Sequence, residues 1–141
     1  MEGTDGSMSM DECLFFQGHP DALPVYEQFR LRVLAQWPDV EIRTARTQIS
    51  FFRKTMMCCA SFLPLGRKAE RPDSWLVISF GLDRLLETDG ISVAVQAAPG
   101  RWTHHVMISS AEEMNDAFWA WIRMAADFSM RTRRGSGRNR P

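Results

Sequence analysis

No stretch of the chain approaches the roughly 18 consecutive apolar residues that a membrane-crossing helix requires. The opening residues, MEGTDGSMSMDEC, are polar and acidic where a secretory or transit signal would be apolar or basic. A membrane partner is therefore not expected, and a cytoplasmic location is. Cysteine is scarce: Cys13, Cys58 and Cys59 are the only three in 141 residues, and none forms a CxxC spacing. Successive residues of a strand point to opposite faces, so Cys58 and Cys59 are poorly placed to share one metal ion. They read as reduced thiols that pack as small side chains, and neither a metal nor a cofactor is implied. Histidine is also scarce, and no Ser-His-Asp or Cys-His spacing can be assembled from His19, His104 and His105.

Net charge is absent too, but its distribution is uneven. After Met130 the segment RTRRGSGRNRP holds five arginines and no acid, so the first 130 residues carry 12 basic against 17 acidic side chains. A length of 141 residues with 45% hydrophobic and 24% charged side chains fits one globular domain. The expected organisation is a flexible leader over residues 1–13, one domain over 14–130, and a basic disordered tail over 131–141. Five arginines leave room only for weak, salt-sensitive contact with nucleic acid.

Within the domain, DALPVYEQFRLRVLAQWPD repeats Leu23, Tyr26, Phe29, Val33, Leu34 and Trp37 at helical spacing, with Asp21 available as N-cap and Pro38 as terminator. The middle changes rhythm. Segments 47–53, 56–63, 75–81 and 91–97 are rich in β-branched and aromatic residues and are separated by Pro, Gly and Asp. LDRLLE, after the third of them, suits a single helical turn. At the other end SAEEMNDAFWAWIRMAADF offers Ser110 and Glu113 as an S-x-x-E capping box, followed by an apolar stripe. Helix, about five strands, helix indicates an α+β domain: a mainly antiparallel sheet with both helices packed on one face.

The pair His104–His105 lies in GRWTHHVMISS, the second arm of a hairpin whose turn is Pro99-Gly100. Pairing Ala98 with Arg101 sets His104 against Val95, and Trp102 against Ala97. That register gathers Trp102, His104, Val106 and Ile108 on one face with the large apolar residues of the preceding strand. His105 then shares the opposite, open face with Arg101, Thr103 and Met107. The two imidazoles diverge and cannot chelate one ion. His104 reads as a core residue, and His105 as a surface residue able to meet a ligand.

FFQGHPDALPVYEQF, RTARTQISF, WLVISFGLDRL and GRWTHHVMISSAEEMNDAFWAWI together resemble a bacterial family built on a domain of unknown function, of the type numbered 5655 and akin to YdhG-like domains. The resemblance spans about residues 15 to 128, and TQISF and RWTHHV are its most specific parts. It implies a small α+β unit and no activity. Residue by residue it draws attention to Thr47, Gln48, Phe51, Arg101, Trp102, His104 and His105; MMCC departs from the pattern.

Three functional readings follow. The first is a non-catalytic module that binds a small molecule or a protein, a second copy of the chain included. It would use the open sheet face, where Phe52, Trp75, Val77 and Met107 add apolar area, or a pocket near RWTHHV lined by Gln48, Arg101, Trp102, His104 and His105. The second is an enzyme with a histidine acid or base and an anion held by Arg43, Arg46, Arg84 or Arg101. The third is nucleic-acid binding led by the tail, against which the acidity of the domain counts.

Overall fold

The computed structural model describes residues 7–131. Residues 1–6 of the expected leader and 132–141 of the expected tail lie outside that span. The elements run α1 (Met10–Phe15), α2 (Leu23–Gln36), β1 (Glu41–Thr44), β2 (Gln48–Phe52), β3 (Met56–Ser61), β4 (Leu76–Leu82), β5 (Val93–Ala98), β6 (Arg101–Ile108) and α3 (Asp116–Phe128). The strands form one six-stranded sheet in the order β1-β2-β3-β4-β6-β5, and every pairing is antiparallel. The α+β class holds, with one strand more than the five expected. The extra strand is β1, whose four residues EIRT are too few to display an alternation.

One face of the sheet forms the core. Ile49, Phe51, Ala60, Ile78, Phe80, Val106 and Ile108 point to it and are buried. They stand in register across β2, β3, β4 and β6, because cross-strand partners share a face. Helices α2 and α3 cover this face. The ring of Phe29 on α2 meets Phe51 at 5.4 Å and Trp119 on α3 at 5.6 Å, so the two helices and the sheet share one aromatic seam.

Several local expectations are corrected. Residues 10–13, read as part of a loose leader, begin α1, whose N-cap Ser9 and Glu12 form a reciprocal capping box. Asp21 does not cap α2. It lies in a short 3-10 turn, Pro20–Ala22, that feeds the helix directly. LDRLLE is not helical: Leu82 ends β4 and the rest is irregular. The capping box at Ser110 and Glu113 is absent because Glu113 is engaged by the backbone and hydroxyl of Ser109, at 3.0 and 3.2 Å. The cap of α3 is Asn115, whose side chain accepts from the Phe118 amide at 3.0 Å.

The hairpin register is also corrected. Ala98 pairs with Arg101 as expected, but a bulge at Ala97 shifts everything beyond it by one residue. His104 therefore faces Ala94, not Val95, and Trp102 faces Gln96, not Ala97. Val93 and Val95 turn to the face of His105 and Thr103. On this edge strand the expected gathering of large apolar residues on the core face gives way, and Val93 and Val95 remain 39% and 52% exposed.

Candidate functional site

The core face accounts for His104. It is fully buried and stacks on Phe80, its direct partner on β4, with ring centroids 5.2 Å apart. The Leu86 amide donates to its Nε2 at 3.0 Å, which places the ring proton on Nδ1. Nδ1 faces the carbonyls of Phe80 and Trp102, which favour protonation but form no well-shaped hydrogen bond. Burial outweighs them and holds the pKa below its ordinary value. His104 is a structural ring beneath the helices.

The helix-free face has a different character. Register alone sets Ser50, Cys59, Ser79 and His105 in one row across β2, β3, β4 and β6, each the direct partner of the next. Ser79 Oγ lies 2.7 Å from His105 Nδ1, and the Gln48 amide donates to Ser50 Oγ at 2.8 Å. Ser50, Cys59 and Ser79 are buried although α2 and α3 lie on the opposite face. Burial pushes the Cys59 thiol pKa up, opposed by hydrogen bonding with Ser79, so the group rests as a thiol. Burial lowers the His105 pKa and favours the neutral ring. With its proton on Nε2, that ring accepts from Ser79 at Nδ1; in the other tautomer Nδ1 donates to the hydroxyl.

This face is less open than the sequence suggests. Val77, expected to add exposed apolar area, is fully buried. The β3–β4 connection, residues 62–75, crosses the sheet there: Leu65, Gly66 and Arg71 line a small cavity together with Ser92, Val93 and Met107 of the last two strands. Trp75 ties the connection together by donating from its indole N–H to the Leu63 carbonyl at 3.3 Å.

Between that connection and the α1–α2 segment runs a trough of about 780 Å³. Gln48, Cys59, Ser61, Ser79, Thr103 and His105 make its floor. Phe62, Leu63 and Pro64 form one wall, and Phe15, Gly18 and His19 the other. The walls meet in an aromatic cluster in which Phe62 stacks on Phe15 at 5.3 Å and on His19 at 3.8 Å. Arg46 and Thr47, from the β1–β2 turn, stand at the rim. The volume falls within the range of small-molecule sites.

The five residues singled out from sequence are thus divided. Gln48 and His105 enter the trough, whereas His104 lies on the other face. Trp102 shares that face, paired with Leu82. Arg101 heads β6, its guanidinium 5.4 Å over the ring of Phe128. Of the other marked residues, Thr47 joins the rim and Phe51 the core. Arg43 and Arg84 are held by Glu41 and Asp83, at 3.1 and 3.0 Å. Ser79 and Cys59 went unmarked because a Ser or Cys inside an apolar strand carries no signal; Phe15 ends α1 and His19 and Phe62 sit in connections, and only the fold reveals that the three converge. No group of three or more His, Cys, Asp or Glu able to hold a metal occurs among the described residues, and no helix among them is long and apolar enough to cross a membrane.

No curated protein and no solved structure matches the chain. A family model does match, over residues 14–129, and its span takes in the core, the polar row and both walls of the trough. The chain belongs to the family defined by that domain of unknown function, DUF5655.

Proposed function

We propose that this chain is a small cytoplasmic binding module that takes a small molecule in the trough on the helix-free face. The observation that carries the reading is the buried polar row. Uncharged hydrogen-bonding groups floor a hollow with apolar walls, the combination by which pockets orient a ligand while desolvating it. A protein partner would find the same hydrogen-bonding groups recessed, between walls that rise on both sides. Kinship with YdhG-like bacterial domains, part of the same reading, adds no reaction.

The test is a thermal-shift screen of metabolites against the chain and against Ser61→Trp, which fills the trough floor. Ligands that bind the native state raise the melting temperature. Hits that stabilise the parent and not the filled variant support the reading. Hits that stabilise both equally place binding elsewhere.

One contact favours a second reading as an enzyme: Ser79 and His105 at 2.7 Å beside a thiol, an arrangement able to pass a proton. Against it stands that no Asp or Glu among the described residues lines the trough to orient the ring.

A further inference from the structure

We infer that the trough selects small organic anions with a planar apolar body, of the aromatic carboxylate class. The inference rests on reading the trough as a binding site and concerns what that site prefers.

Charge is distributed against the bulk of the molecule. Through residue 130 the chain has five more acidic than basic side chains, yet among the described residues no Asp or Glu lines the trough, and Arg46 is the one Lys or Arg that does. Arg46 is exposed in the turn between β1 and β2, and among the described residues it makes no ion pair or hydrogen bond. The neighbouring Arg43, two positions back in β1, is by contrast bound to Glu41 and lies 4.1 Å over the ring of Phe52. An unengaged guanidinium presents a forked donor that matches a carboxylate or a phosphate.

The rest of the lining narrows the class. A cationic ligand would need a carboxylate, and the described residues of the lining supply none. A sugar would need several free amides or carboxylates; Gln48 is the one amide, and its nitrogen is engaged by Ser50. Inorganic phosphate would satisfy Arg46 but leave Phe15, Phe62, Leu63 and Met56 facing water. A planar apolar body covers those side chains, while the hydroxyls of Thr47 and Ser61 remain to complete the shell of the anionic group.

The experiment titrates the isotope-labelled chain of 141 residues with four probes and follows backbone amide shifts of the trough residues. The probes are 2-naphthoate, 2-naphthamide, 2-naphthylmethylammonium and inorganic phosphate. The expected result is that naphthoate binds about fivefold more tightly than naphthamide, the advantage a partly exposed charge pair gives. Phosphate alone and the ammonium probe should leave the trough unmoved. Arg46→Gln, a change in an exposed turn, should erase the preference for naphthoate and leave naphthamide binding as it was. Naphthamide binding as well as naphthoate, or the ammonium probe binding better than either, overturns the anion assignment while the trough stands as a site. Trough amides that no probe moves overturn the assignment together with the reading on which it rests.

Discussion

Ser79 Oγ and His105 Nδ1 lie 2.7 Å apart across β4 and β6, while one residue earlier in β6 the ring of His104 stacks on Phe80, one residue later in β4. The alternation of a strand thus splits two adjacent histidines between a trough and a core. His104→Ala removes a fully buried ring and orphans the Leu86 amide, and should cost roughly 2 to 4 kcal/mol. His105→Ala should cost less, about 1 kcal/mol. That exceeds the cost of a plain surface change, because the buried Ser79 hydroxyl loses its imidazole partner and keeps only the weaker thiol of Cys59. Urea denaturation of both variants measures the asymmetry, and equal losses would contradict the assignment of faces.

Both rings bear on the response to pH. Burial holds each pKa below the ordinary value near 6.5. Just below that pH the unfolded chain binds protons that the folded chain refuses. The stability contributed by the neutral rings is therefore complete above it and is lost as pH falls toward the folded-state values. Unfolding midpoints should drop between about pH 7 and pH 5.5, before most carboxylates titrate. Imidazole resonances followed by NMR should show both rings less than half-protonated at pH 6.5, and a ring more than half-protonated at that pH would refute the sign.

The start of α3 gives a sharp comparison. Asn115→Ala should destabilise by about 1 kcal/mol, since the Phe118 amide loses its side-chain acceptor. Ser110→Ala should cost only a few tenths of a kcal/mol, because its side chain makes no capping bond. Chemical denaturation of the pair decides between them, and a larger loss from Ser110→Ala would restore the earlier start.

Helix α1 is held by a buried ion pair. Glu12 accepts from Arg30 at 2.8 Å and from the Tyr26 hydroxyl, and Arg30 also donates to the Ser7 carbonyl at 2.9 Å. Burial alone would raise the Glu12 pKa, but hydrogen bonds from Arg30, Tyr26 and Ser9 bring it below the usual carboxylate value. Glu12→Ala should cost roughly 3 to 5 kcal/mol, most of it because the buried guanidinium of Arg30 loses the carboxylate that offsets its charge. Phe15 and Gly18, in the wall of the trough, depend on the same anchor. Thermal and urea unfolding test the magnitude; a loss below about 1 kcal/mol would show that Arg30 finds other partners at little cost.

The sheet and the two long helices were legible because their signals are periodic: Phe29 and Val33 recur at helical spacing, and Ile78 and Phe80 alternate with Val77 and Ser79. Where signals are short or local rules compete, sequence reasoning failed. EIRT is too brief to read, and Glu113 was free on paper to serve either Ser109 or Ser110. The bulge at Ala97 defeated the hairpin register because β5 is an edge strand, where leaving Val93 and Val95 half in water costs little enough for turn geometry to prevail. The trough was the least legible feature. His19, Phe62, Ser79 and His105 are spread over 87 residues of chain, and only the strand order brings them together.

The most direct test of the trough as the binding site is amide-shift mapping of the strongest hit from the metabolite screen. The account predicts that the largest perturbations fall on Gln48, Ser61, Ser79, Thr103 and His105 and on the walls at His19 and Phe62. Perturbations confined to the outer surfaces of α2 and α3, with the row from Ser50 to His105 unmoved, would contradict it.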